Sequence, residues 1–407
     1  MKEKPAFSGI ICEFNPLHQG HRHLLMEAKR HSRGVVCVMS GNWVQRGEPA
    51  ILSKFARAEA AVCCGADMVI DLPVSWACAR AERFAYGAVS LLHQLGCIGE
   101  LWFGSECGDA SMLDLIARFL QSSEFGEALS PFLRTGSSFA AARQQAVEKA
   151  LGPQYAAILT SANNILGVEY CKALLSCESS IQPKTIPRIG GHHDSMEEVC
   201  PNAILSASQL RQLLAQGHSL EGLIPAPSLK IISREMAEGR CPADVSQVER
   251  AILAKLRTMG PEDFAALPDI SEGLENRLYT LSRQARSLDE LYSGVKSKRY
   301  SHARIRRLIA CAFMGMTPPL PTAPPYARVL AVSEYGKQML GEVSRSSLIP
   351  VLTRPKDLFT ASPEIASVFA VEQQATDLYA LSLPTPPACG WECRHKLQIV
   401  APSTKST

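Results

Sequence analysis

Four apolar runs punctuate the first hundred residues, and each gives way to a segment whose apolar positions recur at helical spacing. The first passes through Ile10-Ile11-Cys12 and ends at Phe14; the second is Gly34-Val35-Val36-Cys37-Val38-Met39-Ser40. The third is Asp67-Met68-Val69-Ile70-Asp71-Leu72-Pro73, and the fourth Gly99-Glu100-Leu101-Trp102-Phe103-Gly104-Ser105-Glu106. Short continuous apolar runs predict strands buried on both faces. Helices are predicted from His18 to about His31, from Ser53 (a plausible cap) to Cys64, and from Ala81 to Leu95. Strand and helix in alternation predict right-handed βαβ units around a parallel sheet, an α/β fold. Ligands of such sheets sit beyond the carboxyl ends of the strands, here the loops at Asn15, Gly41, Pro73 and Gly104.

Asp109 to Leu151 reads as further helices, with Phe132, Phe139 and alanines on the inner faces. Ser161 to Gly167 opens a helix running to about Ser176, where Asn163 and Asn164 suit a cap. A strand over Ile181 to Ile189 carries Arg188 and runs into the polar loop Gly190-Gly191-His192-His193-Asp194. Ile204 to Arg211 then enters a helix ending near Gly217. From Cys241 to Met316 the pattern is helical, and Thr317 to Pro325 is a Pro-rich, stiff linker. Ala327 to Val332, a helix from Glu334, and Leu348 to Leu352 predict a small C-terminal α/β piece, followed by a helix over about Ile365 to Leu381. The expected units are residues 1–217, with a helical insertion at about 109–176, then 218–316, 326–383, and a tail at 384–407 that lacks order.

At 407 residues the chain exceeds one ordinary domain, and 46% hydrophobic with 20% charged residues is a soluble globular composition. No stretch reaches the roughly 18–20 apolar residues of a membrane span, and the start has no signal-peptide core, so a cytoplasmic location and no membrane partner are expected. Of the fourteen cysteines, scattered through apolar segments, most read as buried free thiols. Cys389 and Cys393, near His395, have no second pair, so no metal site is expected there. A net charge of +3 is too small to declare a nucleic-acid partner, which would need a local patch.

Candidate chemistry begins in the first loop, Ile10-Ile11-Cys12-Glu13-Phe14-Asn15-Pro16-Leu17-His18-Gln19-Gly20-His21-Arg22-His23. Pro16 fixes its own φ and turns the chain away from helix at Asn15. His18 and His21, three residues apart, share one side of a first helical turn, and Gly20 lets a ligand approach the backbone. Free N–H groups, the positive end of the turn and two imidazoles suit a phosphate. A pair of histidines near a helix start is more commonly a surface or core feature, and two ligands are too few for zinc. Ser206, Ser208 and Arg211 at a later helix start form a second anion-binding pattern, which a simple N-cap explains equally well. Lys296, Lys298, Arg299, Arg304, Arg306 and Arg307, interleaved with Tyr300 and His302, suit RNA phosphates and bases against the alternative of a solvated helix face. Lys54, Arg46 and Arg57 divide between phosphate or RNA contact and an ordinary surface role. No Gly-x-Gly-x-x-Gly follows the first strand, which argues against a redox dinucleotide fold.

Asn15-Pro16-x-His18-x-Gly20-His21 resembles the His-x-Gly-His signature of the nucleotidylyltransferase superfamily, whose members cleave ATP between its α- and β-phosphates. With Met39-Ser40-Gly41-Asn42-x-Val44-Gln45-Arg46-Gly47-Glu48-Pro49-Ala50, Gly65-Ala66-Asp67-x-Val69-Ile70-x-Leu72-Pro73, Phe103-Gly104-Ser105-Glu106, Asn163-Asn164-Ile165-Leu166-Gly167 and Lys298-Arg299-Tyr300, the chain resembles the bacterial tRNA(Met) cytidine acetate ligase family over about residues 7–380. Asp71 stands where that family usually has Glu, and the tail past Leu383 has no counterpart. The resemblance implies a Rossmann-like sheet and activation of acetate by ATP to acetyl-adenylate, without acetyl-coenzyme A. It also implies acetyl transfer to N4 of the wobble cytidine of elongator tRNA(Met), with no obligatory protein partner. His18 and His21 would hold the α- and β-phosphates as the catalytic pair. Arg188, Ser206, Ser208 and Arg211 would clamp pyrophosphate. Ile10 to His23, Gly104, Asn163 and Asn164 would frame ATP, Mg²⁺ would accompany the triphosphate without a dedicated carboxylate cage, and the basic cluster would contact tRNA. The alternatives are an adenylyltransferase for a small phosphorylated metabolite and a non-catalytic RNA-binding protein on a nucleotide-binding fold.

Overall fold

The computed structural model describes residues 7–188, 205–271, 273–297 and 300–401. The loop Gly190 to Asp194 and the basic residues Lys298 and Arg299 therefore lie outside the described residues. The four apolar runs form β1 (Phe7–Cys12), β2 (Val35–Ser40), β3 (Met68–Leu72) and β4 (Ile98–Ser105), joined by β5 (Gln182–Pro187). β1, β2 and β3 are buried at every position, as sheet centres covered by helices on both faces must be. All pairings among these five strands are parallel, in the order β5-β4-β1-β2-β3. β1 thus lies at the centre, and the loop that follows it emerges between neighbours on either side.

Helices cover both faces: Gln19–His31, Lys54–Cys63, Ala81–Gln94 and Ala162–Ser176. Ser53 caps the second as the sequence predicts, its hydroxyl accepting from the Ala56 N–H at 3.2 Å. On one face Phe84, Val89 and Leu92 meet Val36, Val38 and Ile70; on the other Leu25, Phe55 and Ala58 meet Ile10, Cys37 and Val69. Residues 109–158 add the expected helices beside β4 and the Ala162–Ser176 helix.

The C-terminal third differs from expectation. β6 (Ala327–Ser333) does not begin a separate small unit; it pairs antiparallel with β3 and extends the main sheet. β7 (Val351–Leu352) and β8 (Gln398–Val400) pair with successive parts of β6. The tail, expected to lack order, instead supplies β8 and the Trp391–Arg394 helix, with Glu392 fully buried. The helices between residues 249 and 314 pack around Ile252, Leu256, Phe264, Leu278, Leu291 and Ile305. Trp43 and Val74 from the sheet domain join that cluster, so the helical region sits on the β2 and β3 loops. Among the described residues no helix is long and apolar enough to cross a membrane.

Candidate active site

A cavity of about 360 Å³ opens at the carboxyl ends of β1 and β4. The chain leaves β1 through Phe14, held at φ +48°, and an Asn15–Pro16 peptide that is cis. A bulky residue in the left-handed region is uncommon, and here the surroundings fix it. Asn15 is pinned at both groups: its Oδ1 accepts from the Ile51 N–H at 2.9 Å, and its carbonyl accepts from Arg211 Nη1 at 2.8 Å. His18 follows as the N-cap of the Gln19–His31 helix, its Nδ1 accepting from the Gly20 N–H at 3.1 Å. His21 Nδ1 in turn accepts from the His18 N–H at 3.3 Å. The two rings stack with centroids 3.7 Å apart. With both Nδ1 atoms accepting, each neutral imidazole carries its proton on Nε2, the atom that can donate to a ligand oxygen.

Burial, reinforced by Arg188, lowers His18 to about 4. Burial, His18 and Arg188 push His21 well below the ordinary imidazole range, against a smaller upward pull from the Pro16 carbonyl. Near neutral pH the free cleft therefore presents two neutral N–H donors. A bound polyphosphate would favour their charged forms.

The residues expected to bind nucleotide divide cleanly. Ile10 to Asn15, His18, Gly20, His21, His23, Gly104, Asn163, Arg188, Ser206 and Arg211 line the cavity. Pro16, Leu17, Gln19 and Arg22 do not; Leu17 is buried and Arg22 is exposed. Asn164 is buried behind the wall, where its Oδ1 accepts the Glu106 and Cys107 N–H groups at 2.9 and 3.0 Å. Asn163 Nδ2 donates to Glu106 Oε1 at 2.7 Å, so both asparagines lock the loop after β4 onto a helix start. Ser208 also stands outside the lining; it accepts from Arg211 Nη2 at 3.2 Å and so steadies that guanidinium. Ser206 lines the cleft and caps the Ala207–Ala215 helix, its hydroxyl accepting from the Gln209 N–H at 3.3 Å. Sequence reasoning missed Tyr170, Ile165, Leu166, Phe84 and Gln45 as lining residues. The signal for Tyr170 was its spacing: 163, 166 and 170 fall on one helical face.

Of the three undecided cations, Lys54 and Arg57 are structural and Arg46 faces the cleft. Lys54 is fully buried and pairs with Asp71, Glu372 and Glu392 at 2.6, 2.7 and 2.9 Å, so it reaches neither phosphate nor RNA. Arg57 is buried and donates to the carbonyls of Glu13, Ser40, Gly41 and Leu52, tying the loops after β1 and β2 together. Arg46 lines the cleft.

Among the described residues of the basic cluster, Lys296 is exposed, but Arg304, Arg306 and Arg307 have acidic partners from other parts of the chain. Arg306 pairs with Glu48 at 2.6 Å, Arg307 with Asp269 at 3.8 Å, and Arg304 donates to the Asp269 carbonyl at 2.7 Å. Gly47, at φ +80°, lies so close to this helix that a Cβ would stand 2.5 Å from the Arg307 nitrogen. Arg306 thus helps dock the helical region on the β2 loop, while Arg304 and Arg307 brace that region internally on Asp269. A larger cavity of about 530 Å³ lies along the same junction, with charged walls that are mutually paired, such as Lys172 with Glu169 at 2.8 Å and Arg80 with Glu82 at 3.1 Å.

A parallel sheet with a His-x-Gly-His turn at the end of its central strand defines a nucleotidyl transferase of the HIGH class, and the family model described as HIGH Nucleotidyl Transferase matches residues 6–389. The tRNA(Met) cytidine acetate ligase of Acetivibrio thermocellus is 37% identical over 397 residues, covering 93% of this chain and 95% of that protein. The ligase of the same name from Clostridium acetobutylicum is 38% identical over 367 residues, covering 85% and 90%. Thermotoga maritima TmcAL, solved bound with alpha-thio ATP, superimposes with a TM-score of 0.88 at 29% identity, covering 97% of this chain and all of that one; its apo form gives 0.90 at 30%. The chain belongs to the tRNA(Met) cytidine acetate ligase family.

Proposed function

We propose that this protein condenses acetate with ATP to acetyl-adenylate and passes the acetyl group to N4 of the wobble cytidine of elongator tRNA(Met), in the cytoplasm. The observation that carries the reading is the stacked His18–His21 pair, with both Nδ1 atoms engaged, in a cleft that also holds Arg188 and Arg211. Full-length similarity to ligases of that name supports the acceptor, and the ATP analogue bound by the Thermotoga protein supports the nucleotide.

Attack of a carboxylate on the α-phosphorus requires no protein nucleophile. It requires alignment and neutralisation of charge on the phosphate oxygens. His18 and His21 supply Nε2–H donors fixed before substrate arrives, so little reorganisation accompanies the step. Arg211, anchored on the Asn15 carbonyl and Ser208, and Arg188 suit the departing pyrophosphate. Phe84, Ile165, Leu166 and Tyr170 offer an apolar wall for the nucleoside. A Mg²⁺ cage needs several oxygen ligands, and the described lining has a single carboxylate. The ion would therefore arrive on the triphosphate, held by phosphate oxygens and water, adding its charge to that of the donors.

For tRNA, Lys296 is exposed and, among the described cluster residues, free to meet a phosphate, with Arg304, Arg306 and Arg307 lending charge while paired. Incubation with ATP, labelled acetate and total bacterial tRNA, followed by nucleoside analysis, tests the reading. N4-acetylcytidine in tRNA(Met) is expected; unmodified cytidine in every tRNA, from folded protein, would defeat it. Nucleotide exchange driven by a phosphate monoester instead of acetate would favour the small-metabolite alternative.

A further inference from the structure

Acetyl transfer to a cytosine amine poses a problem that the phosphate-binding residues do not solve. The exocyclic N4 shares its lone pair with the ring and is a poor nucleophile, and its proton must go somewhere as the C–N bond forms. Each histidine has its Nδ1 engaged as an acceptor and so carries its proton on Nε2, and neither imidazole has an acceptor nitrogen to offer.

One other group in the cleft is built for the task. Glu13 is the acidic side chain among the described lining residues, half-buried between the end of β1 and the Asn15 turn. It is held at two points: Oε1 accepts from the Gln45 N–H at 2.8 Å, and its carbonyl accepts from Arg57 Nη1 at 2.5 Å. The carboxylate forms no ion pair within 4 Å among the described residues, and its hydrogen bond to Gln45 engages one of two oxygens. We infer that Glu13 is the general base of the second half-reaction, its remaining carboxylate oxygen taking the N4 proton of the incoming cytidine. This inference rests on the acetate ligase reading.

The step balances without a further reactant. N4 bonds to the acetyl carbonyl carbon, the bond from that carbon to the phosphate oxygen breaks, AMP leaves with the electron pair, and the N4 proton moves to the Glu13 oxygen. The surroundings suit a base. Burial raises Glu13 above the ordinary carboxylate range, against the Gln45 N–H and the charges of Arg57, Arg211 and Arg46. Cys12 on its own strand and Tyr170 on the facing helix are the other titratable neighbours. A base with its affinity raised toward neutrality accepts a proton more effectively than a solvent-exposed carboxylate. Glu13 lines the same cavity as His18, on the loop expected to seat the α-phosphate to which the acetyl group is attached.

Glu13→Gln separates this role from a structural one, because the amide keeps an acceptor oxygen for the Gln45 N–H. Two rates are measured on the full-length chain: acetate-dependent exchange of labelled pyrophosphate into ATP, and single-turnover acetyl transfer from preformed enzyme-bound acetyl-adenylate to a tRNA(Met) transcript. The expected result is a loss in transfer at least about 30-fold larger than any loss in exchange. Wild-type transfer should rise with pH through one ionisation that E13Q abolishes, and Glu13→Asp should recover part of the rate. Equal loss in both half-reactions would assign Glu13 to nucleotide or loop positioning and overturn the inference, as would transfer at the wild-type rate. Wild-type protein that exchanges no pyrophosphate with acetate, or acetylates no tRNA, would instead overturn the ligase reading, and this inference with it.

Discussion

Replacing Lys54 by Met should destabilise the protein more than an ordinary surface substitution, although Lys54 touches no substrate. Its ammonium is enclosed with Asp71, Glu372 and Glu392, and the second cation of the group, Arg328, pairs with Glu392. Three formal negative charges thus face two positive ones in a site closed to solvent. Burial holds Glu372 above the ordinary carboxylate range; Lys54 pulls it down, and Asp71 pushes it up. Met fills much of the same volume but leaves the carboxylates facing only Arg328. Removing one partner from a buried ion pair costs about 3–5 kcal/mol. At roughly 2–4 °C per kcal/mol for chains of 150–250 residues, and less for longer ones, a fall of several degrees in the melting midpoint is expected. The sign with pH follows from linkage. Without Lys54 the Glu372 pKa rises further, so the folded variant holds its proton over a wider range. The deficit against wild type therefore grows as pH rises through that range and shrinks as pH falls. Calorimetry of both proteins at pH 5 and pH 8 reads this directly, and adding Glu372→Gln to Lys54→Met should recover part of the loss. A midpoint within about 1 °C of wild type at pH 8, or a deficit larger at pH 5, would refute the reasoning.

Further outcomes follow from the same structure. His18→Asn or His21→Asn should slow acetate-dependent pyrophosphate exchange by about 10²–10³-fold, as loss of one fixed donor does elsewhere, with the circular-dichroism spectrum unchanged. Gly47→Ala places a Cβ against the Arg306–Arg307 backbone at a positive φ, so it should cost more than about 1 kcal/mol, read as a lower urea midpoint. His18 and His395 are both lowered from 6.5 to about 4, chiefly by burial, so the unfolded chain binds protons that the folded chain refuses. Stability should fall as pH drops from about 6.5 toward 4, and His395→Gln should flatten that fall in a pH series of urea titrations.

The sheet was legible because its strands are continuous apolar runs and its helices follow at once; both signals are local. The site was legible for the same reason, since Asn15, His18 and His21 act within a single turn. Contacts between distant segments were not. Lys54 reads as an ordinary helical lysine because two of its three partners, Glu372 and Glu392, come from the last forty residues. The tail reads as unstructured because its packing rests on such remote partners: Glu392 on Arg328, and the His395 ring stacked 3.7 Å from Phe55. Arg304, Arg306 and Arg307 look like an uninterrupted basic face until folding brings Glu48 and Asp269 beside them. Asn164, expected at the nucleotide, proved to serve the loop after β4, a role that depends on the fold bringing Glu106 within reach.

The central claim is that the loop after β1 presents ATP to a carboxylic acid. Exchange of labelled pyrophosphate into ATP, with and without acetate and with no tRNA present, tests it most directly. The account predicts exchange that requires acetate and is lost in His18→Asn; exchange indifferent to acetate, or equal in the variant, would contradict it.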